Sequence, residues 1–216
     1  MARRSWEEIA EELQQYPQVL CVVNTRPDCR KLAELAGEDV VYLSTWLCGE
    51  HRSQKIRAIR ERLKAGAPVR VVSTQLVEAG VDLDFPVVYR AFTGLSSIAQ
   101  AAGRCNREGR SKNPGQVIVF MPPKPAPPGV LRKAEDAFIE LLQSECPPSP
   151  DDPDSYPRFF RAFYQAQNDD GKQAFTRLLV SGSRVLQFQF REAAAAFRMI
   201  EEDSVPVLVR FGDSDQ

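Results

Sequence analysis

Two arginines three residues apart, Arg104 and Arg107, have the spacing and chemistry to act together on a phosphate group. They belong to the stretch Gln-Ala-Ala-Gly-Arg-Cys-Asn-Arg, which begins at Gln100 and contains Gly103. On a helix, residues three apart lie one turn from each other, so both guanidinium groups would converge, and the glycine would let a second backbone approach closely. Two permanent, fork-shaped cations suit a phosphate chain, and arginine fingers stabilise charge on a transferring phosphoryl group. The pattern therefore predicts contact with a nucleoside triphosphate.

A second stretch, Val71 to Asp84, joins a buried strand to a tight turn and is rich in hydrogen-bonding groups. The strand brings Ser73 and Thr74 to its carboxyl end, where open α/β sheets bind ligands, and hydroxyls there suit nucleic-acid phosphates. Gly80 permits a tight backbone, and Asp82 can accept a hydrogen bond from a ribose hydroxyl or hold a motif arginine. Taken alone, the stretch is as consistent with a purely structural role, as a strand, a turn and a capping aspartate, as with ligand binding. Because one strand–helix unit separates it from the arginines, we expect both stretches at one edge of a sheet.

Strand and helix signals alternate from residue 1 to residue 121. Compact apolar runs bounded by turn residues predict five strands, and segments between them carry the apolar stripe of amphipathic helices. This alternation predicts an α/β fold whose parallel strands are joined by right-handed crossovers. The predicted strands are 19–23, 40–43, 69–72, 87–91 and 117–120, and the predicted helices include 6–15, 53–65 and 96–106.

Residues 122–216 have a different character, since ten of the 16 prolines fall between Pro122 and Pro157. We predict a domain boundary after residue 121, then a semi-rigid extended strap and a mostly helical segment. A strand expected near the end has nothing after it to pair against, which suggests that the sequence stops inside a larger architecture. The predicted elements are helices at 130–143, 158–167 and 171–180, a short strand around Phe188 and Phe190, and a strand at Val205–Val209.

Composition limits the classes of protein to which this chain can belong. Apolar residues make up 43% and charged residues 26%, with a net charge of −1, as in a soluble globular protein. No apolar run is long enough to cross a membrane or to serve as a signal peptide, so we expect a cytoplasmic location and five reduced cysteines. The single histidine, His51, excludes the His and Asp cluster of an HD nuclease, and no metal site is expected.

The sequence also lacks the parts that would hold a nucleotide unaided. It has no G-x-x-x-x-G-K-[ST] loop to cradle the β and γ phosphates, and no D-E-x-H or D-E-x-D pattern to hold Mg²⁺. The aromatic run at 159–164 is more typical of a core than of a platform for nucleobases. Trp6 and Trp46 are too isolated to support a prediction.

The two informative stretches resemble motifs five and six of superfamily two helicases. The sequences of residues 73–91 and 97–109 resemble the helicase-nuclease family of type I CRISPR systems even more closely. The Cascade surveillance complex recruits proteins of that family to degrade target DNA. Residues 19–26 and 43–52 are similar to motif four of that family and to the motif after it. The resemblance covers residues 17–120 and implies a second RecA-like helicase lobe at 1–121, followed by a linker and helical segment at 122–216 that leads toward an accessory C-terminal domain.

Two departures from the general helicase pattern suit the CRISPR family. Many superfamily two members have arginine after the glutamine of motif six and glycine before its last arginine, whereas this chain has Ala101 and Asn106.

The resemblance implies roles for matching residues on two sides of the lobe. On the nucleotide side, it implies ATP held mainly by a first RecA-like lobe, which would also hold Mg²⁺. The residues implied on that side are Arg104 and Arg107 as arginine fingers, with Gln100, Gly103, Gly80 and Asp82 beside them. The residues implied to contact or flank the backbone of single-stranded DNA are Asn24, Thr25, Arg26, Ser44, Thr45, Ser73 and Thr74.

The leading hypothesis is the C-terminal lobe of an ATP-dependent, single-strand translocating DNA helicase in CRISPR interference, inactive in ATP hydrolysis on its own. Its implied partners are single-stranded DNA, a first RecA-like lobe and HD nuclease in the full protein or a partner chain, and Cascade. One alternative is a non-catalytic module that docks on Cascade or a partner chain and binds single-stranded DNA. Another is a truncated gene product without a selected function.

Overall fold

The computed structural model describes residues 2–78, 80–107, 109, 114–167, 178–179, 188–196 and 212. The chain forms two compact units, of which the first runs to Phe163 and the second follows from Tyr164. The predicted division after residue 121 concerns a family domain and stays a prediction. As a packing unit, the first body includes the proline strap and most of the two helices after it.

A five-stranded parallel sheet forms the centre of the first unit, as the alternating sequence pattern predicted. Its spatial order is β2-β3-β1-β4-β5, so β1 lies in the middle and β2 and β5 lie at the edges. The register aligns Val22 of β1 with Ser73 of β3 and with Arg90 of β4. The strands are β1 Gln18–Val22, β2 Val40–Leu43, β3 Val69–Ser73, β4 Val87–Ala91 and β5 Gln116–Phe120.

Seven helices are present among the described residues, together with one short 3₁₀ turn at Gln75–Val77. Helix α1 begins at a capping box, because Ser5 and Glu8 satisfy each other's backbone N–H groups. Thr25 caps α2 by accepting a hydrogen bond from the backbone N–H of Asp28. The helices are α1 Trp6–Gln14, α2 Arg26–Ala36, α3 Gly49–Lys64, α4 Leu95–Ala102, α5 Val130–Leu142, α6 Ser155–Gln167 and α7 Phe190–Ala196.

Strand β1 is buried on both faces, which explains its continuous apolar sequence. Val19 and Cys21 join a core cluster with residues of α1 and α2, whereas Leu20 and Val22 join a second cluster with Ile59 of α3 and residues of the 76–85 segment. The sheet is therefore covered on both sides, and the ends of its strands remain as the places where polar residues can gather.

Helix α4 is shorter than predicted, and this changes the placement of both motif arginines. It ends at Ala102 instead of continuing to residue 106, with Gly103 at its carboxyl cap. The chain then forms a parallel bridge between Cys105 and Phe85, and Asn106 adopts a φ of 45°. Left-handed backbone favours glycine or asparagine, so Asn106 serves where many helicases have glycine. Prediction of a helix through this segment was wrong because the bridge to Phe85 replaces the helical hydrogen bonds.

Helices α5 and α6 close the first unit over the start of α4. Phe92, Phe138 and Phe159 form its aromatic core, in which the ring centroid of Phe138 lies 5.4 Å from that of Phe92 and 6.1 Å from that of Phe159. Gly94 is required by this packing, since a Cβ atom there would lie 2.8 Å from Cζ of Phe159. The carboxylate of buried Glu135 accepts a hydrogen bond from the Ala126 backbone at 2.9 Å, which fixes the proline strap on α5.

The start of the lobe is attached to the residues that follow β5. Arg3 forms a parallel bridge with Met121, and the Arg4 backbone N–H donates to the Met121 carbonyl at 2.9 Å. The guanidinium of Arg3 donates to the Pro122 carbonyl at 2.9 Å. These contacts continue the hydrogen bonding of the sheet beyond its last strand.

The second unit is described over short segments only. Leu178 and Ala193 form a small buried cluster, and α7 begins at Phe190. The expectation of a strand at Phe188 and Phe190 was therefore wrong, and their rings stack at 5.6 Å instead. Most of the helix predicted at 171–180 and all of the strand predicted at Val205–Val209 lie outside the described residues. No helix in the described part of the chain has the length and apolar character needed to cross a membrane.

Candidate functional site

The two motif arginines lie in the loop that follows α4, next to the start of β4. The Phe85 backbone N–H donates to the Arg104 carbonyl at 2.9 Å, and the Asn106 N–H donates to the Phe85 carbonyl at 3.0 Å. These two bonds fix the backbone on both sides of Cys105. Both arginines are thus positioned by sheet-like pairing with the segment before β4 and not by a helical turn.

Arg107 is held by the acidic segment that precedes β4. Its Nη1 lies 2.6 Å from Oδ1 of Asp82, and its backbone N–H donates to Oδ1 of Asp84 at 2.7 Å. The sequence had suggested that Asp82 could hold a motif arginine, and the structure shows that contact. The Arg107 side chain remains 47% exposed, so its cationic group is accessible to an anionic ligand.

Arg104 is more enclosed than Arg107. Its Nη2 donates to the Glu78 carbonyl at 2.7 Å, while its buried Nε has no hydrogen-bond partner. Burial lowers the pKa of Arg104, and the nearby charge of Arg107 lowers it further. The two guanidinium groups are therefore close enough to repel each other, which an anion placed between them would relieve.

The other residues predicted on the nucleotide side differ in backbone conformation, exposure and surroundings. Gly80 has a φ of 72°, a left-handed conformation that glycine adopts without strain. Gln100 is exposed on the last turns of α4. Around Gly103, a Cβ atom would meet only the carbonyls of Ala99 and Gln100 at 3.5 Å and 3.4 Å. The expected close approach of a second backbone to Gly103 is therefore absent from the described residues.

The predicted nucleotide and DNA residues do not share one edge of the sheet. Arg104 and Cys105 pair with Phe85, which precedes β4, whereas Ser73 is aligned through β1 with Arg90 near the end of β4. Five residues of extended strand separate these levels, a distance of roughly 16 Å at 3.3 Å per residue. The expectation that both stretches meet at one edge holds for Glu78, Asp82 and Asp84, which contact the arginines. It fails for Ser73 and Thr74, because α4 runs antiparallel to β4 and returns the chain to the amino-terminal ends of the strands.

Four of the predicted DNA-contacting residues are buried at the carboxyl ends of the strands. The Asn24 side chain donates to the Phe92 carbonyl at 2.8 Å, and the Ser73 hydroxyl donates to the Leu43 carbonyl at 3.0 Å. The Ser44 hydroxyl contacts the hydroxyl of Tyr42 and accepts the backbone N–H of residue 46. Thr74 is only 5% exposed. The side chains of Asn24, Ser44 and Ser73 therefore bond within the protein and shape this edge.

The other three predicted DNA residues face outward to different degrees. Thr25 is partly exposed and exchanges hydrogen bonds with Asp28 at the start of α2. Arg26 is exposed and lies over the ring of Trp46, with 5.6 Å between the guanidinium carbon and the ring centroid. Thr45 is exposed in the turn after β2. Of the predicted set, Arg26 and Thr45 are the residues whose side chains are most accessible to a nucleic acid.

A buried ion pair, which the sequence analysis did not predict, lies between the predicted nucleotide-side residues and the predicted DNA-side residues. Arg90 Nη2 is 3.0 Å from Oε1 of Glu78, and the two side chains are 0% and 6% exposed. Arg90 Nη1 also donates to Oδ1 of Asn24 at 2.7 Å, and the Ser97 hydroxyl donates to Oε2 of Glu78 at 2.6 Å. Burial raises the pKa of Glu78 and lowers the pKa of Arg90, while their mutual attraction opposes both shifts.

Glu78 connects the predicted nucleotide side with the predicted DNA side, because its carboxylate and its backbone carbonyl contact different arginines. The carboxylate pairs with Arg90, which is bonded to Asn24, and the carbonyl accepts from Arg104. The available signal was an arginine inside the apolar strand Val-Val-Tyr-Arg-Ala, since a charge in a buried strand requires a partner.

The charges of this site suit an anionic ligand and not a metal cation. A buried guanidinium nitrogen without a partner and an accessible second arginine are suitable for an anion. Arg107 would have to exchange Asp82 for the phosphate. No group of three or more His, Cys, Asp or Glu residues in the described regions is arranged to hold a metal ion.

Sequence comparisons connect this site to one family. Residues 15–110 match the family model for the C-terminal part of the CRISPR-associated nuclease/helicase Cas3. The Cas3 protein of Haloferax volcanii is 52% identical over 54 residues, which cover 24% of this chain and 6% of that protein. The Cas3 protein of Methanothermobacter thermautotrophicus is 34% identical over 94 residues, 41% of this chain and 11% of that protein.

The fold agrees with the sequence match. A crystal structure of T. fusca Cas3-ATP superposes with a TM-score of 0.59 at 17% identity, over 96% of this chain and 28% of that chain. This chain therefore corresponds to a small share of the length of each of these three proteins. Over residues 15–110, the chain is therefore similar to the C-terminal part of the Cas3 nuclease/helicase family.

Proposed function

We propose that this chain acts as the second lobe of an ATP-dependent helicase that translocates on single-stranded DNA during CRISPR interference. The observation that carries the proposal is the pair Arg104 and Arg107, fixed beside Phe85 with one guanidinium exposed and the other lacking a partner at Nε. The match of residues 15–110 to the Cas3 C-terminal family model supports the assignment to a helicase lobe.

On the nucleotide side, Arg107 would bind the outer phosphates of ATP and Arg104 would support it from a more buried position. When bound, ATP supplies a phosphoryl group whose transfer develops negative charge, which fixed arginines stabilise. Asp82 holds Arg107 in position when no phosphate competes for it. The first lobe would supply the phosphate loop and the carboxylates for Mg²⁺, since the present sequence contains neither pattern.

On the opposite edge, Arg26 and Thr45 would contact phosphates of single-stranded DNA. Both are exposed at the carboxyl ends of the strands, where polar side chains can reach the sugar-phosphate backbone. Asn24, Ser44, Ser73 and Thr74 would flank this contact and hold the turns in shape. Binding of this kind reads no base sequence and is sensitive to salt.

The implied partners are a first RecA-like lobe, an HD nuclease and Cascade, in the full protein or as separate chains. The T. fusca Cas3-ATP structure connects that protein with ATP, and we extend nucleotide use to this chain as part of the proposal.

ATPase measurements with single-stranded DNA, with and without a matching first lobe, test the proposal. The chain alone should hydrolyse no ATP, and addition of the first lobe should produce DNA-stimulated turnover on the order of 1 s⁻¹ or faster, as in phosphoryl-transfer enzymes. Turnover by the isolated chain would contradict the two-lobe assignment. An inactive two-lobe assembly that still binds DNA would favour the non-catalytic module instead.

A further inference from the structure

An exposed tryptophan lies directly at the proposed DNA edge. Trp46 is 50% exposed in the turn after β2, whereas Trp6 is 6% exposed and packs edge-on against Phe120 with ring centroids 6.2 Å apart. Tryptophan is enriched at binding interfaces, because one end of its side chain is apolar and the other can form a hydrogen bond.

The position of Trp46 is fixed by two contacts from within the lobe. Its backbone N–H donates to the buried Ser44 hydroxyl at 3.2 Å, which holds the turn. The Arg26 guanidinium lies over its ring at 5.6 Å from the centroid, a cation–π contact. The ring is therefore ordered in advance and loses little conformational freedom when a ligand stacks on it.

A concave surface of about 630 Å³ lies beside the ring, between α2 and the edge strand β2. Apolar and aromatic side chains form most of it, which suits the flat face of a base. One of its carboxylates, Glu34, is already paired with Arg30 at 2.8 Å. The apolar and aromatic residues along it are Ala33, Val40, Tyr42, Trp46 and Leu47.

We propose that Trp46 is a stacking platform for one base of the bound single-stranded DNA, with Arg26 beside it to bind the adjoining phosphate. This inference rests on the proposed function, because it adds a base contact to the phosphate contacts of the same edge. The turn after β2 supplies the aromatic ring and the exposed hydroxyl of Thr45, and the first residue of α2, Arg26, adds a cation over the ring. This combination is the chemistry of single-strand binding. A protein partner could pack on the ring of Trp46, but it would offer no phosphate for Arg26 and Thr45 to bind.

The test compares intact DNA with DNA that carries no bases. A labelled oligodeoxythymidine and an abasic strand of the same length are titrated with the 216-residue chain by fluorescence anisotropy at two salt concentrations. Trp46→Ala should bind the intact strand about 5- to 150-fold more weakly, the range measured for loss of one base–aromatic stack. Its affinity for the abasic strand and its salt dependence should match the unmodified chain.

Two further variants separate stacking from charge. Trp46→Phe should recover much of the lost affinity because it keeps an aromatic face. Arg26→Ala should weaken binding of both strands and flatten the salt dependence, because it removes one phosphate contact. Thermal unfolding of each variant verifies that the lobe is intact.

The tryptophan fluorescence of the chain gives an independent reading, since the sequence contains only Trp6 and Trp46. Addition of oligodeoxythymidine should quench the emission of the unmodified chain and of Trp6→Phe, but not that of Trp46→Phe. Loss of quenching only in Trp46→Phe assigns the contact to the exposed ring.

Three results would overturn the inference. Equal loss of affinity for intact and abasic strands in Trp46→Ala would show that no base stacks on the ring. Unchanged DNA binding in Trp46→Ala, with Arg26→Ala impaired, would leave the proposed DNA contact standing and reassign the ring to a protein partner. No binding of either strand by the unmodified chain would overturn both the stacking site and the proposed DNA-binding role.

Discussion

The two ends of the sheet contain polar residues in opposite states. At the carboxyl ends of the strands, Asn24 and Ser73 are buried and their side chains bond to backbone carbonyls of the same lobe. Before the amino end of β4, Arg107 and Asp82 are about half exposed and bond to each other across the surface. The carboxyl edge has most of its polar side chains bonded internally, with Arg26 and Thr45 as the exposed exceptions. The other edge has charged groups that a ligand can reach.

This difference distinguishes two roles that a motif residue can have, one structural and one in ligand binding. A buried side chain whose hydrogen bonds are satisfied determines where the backbone turns, and a ligand cannot contact it without breaking those bonds. An exposed charged residue can exchange its partner for a ligand at small cost, because exposed ion pairs contribute little to stability. Substitutions at the two edges should therefore affect different measurements.

The largest expected effect is on catalysis at the amino-terminal edge. In an assembly with a first lobe, Arg107→Ala should lower kcat for ATP hydrolysis by about a thousandfold or more, with little change in KM, because arginine fingers act on transition-state charge. Arg62→Ala, at an exposed position of α3, is the matched control and should leave turnover unchanged. Near-normal turnover of Arg107→Ala would make the exposed arginine a structural residue like those of the other edge.

The next effect concerns the buried pair that lies between the two edges. Arg90→Met should lower the free energy of unfolding by about 3–5 kcal/mol, because Glu78 is left charged and buried without its partner. Urea unfolding of the chain measures this loss. Arg30→Ala, which breaks the exposed pair with Glu34, should change stability by less than about 0.5 kcal/mol.

A double variant tests whether charge burial is the cause. Glu78→Leu together with Arg90→Met should recover much of the stability lost in Arg90→Met alone, because no uncompensated charge then remains. If the double variant is as unstable as the single one, the loss comes from the contacts of Arg90 with Asn24 and the strand carbonyls.

The smallest expected effects distinguish buried from exposed motif residues at the carboxyl edge. Ser73→Ala should lower the free energy of unfolding by about 1 kcal/mol, the value of one hydrogen bond, and leave DNA affinity nearly unchanged. Thr45→Ala should do the reverse, with unchanged stability and about fivefold weaker binding of single-stranded DNA. Urea unfolding and fluorescence anisotropy measure the two quantities. Equal DNA affinities for the two variants would remove the distinction between buried and exposed motif residues.

Sequence patterns predicted the sheet accurately because its strands are nearly all apolar. Strands β2 and β4 have the predicted bounds, β1 is shifted by one residue, and β3 and β5 are each one residue longer at one end. Long apolar runs with turn residues on both sides have few other folds available, so local sequence was sufficient. The pairing of Asp82 with Arg107 was also foreseeable, since both belong to recognisable motifs.

The errors occurred where contacts distant in sequence determine the structure. Helical periodicity continues through Cys105, yet its bridge to Phe85, twenty residues earlier in the chain, ends α4 at Ala102. The burial of Asn24 depends on Arg90, which is 66 residues away. Periodicity reports which face of an element is apolar, and it contains no information on such partners. The exposure of Trp46 likewise depends on the position of β2 at the sheet edge.

The attachment of the first residues to the end of β5 has a consequence for how this lobe can be connected. Arg3 and Arg4 bond to Met121 and Pro122, so the chain enters the sheet-containing part of the molecule and leaves it at the same place. Any segment joined to the chain before Arg3 would therefore lie beside the start of the proline strap at Met121 and Pro122. A movement of that segment would act directly on the strap that leads to α5.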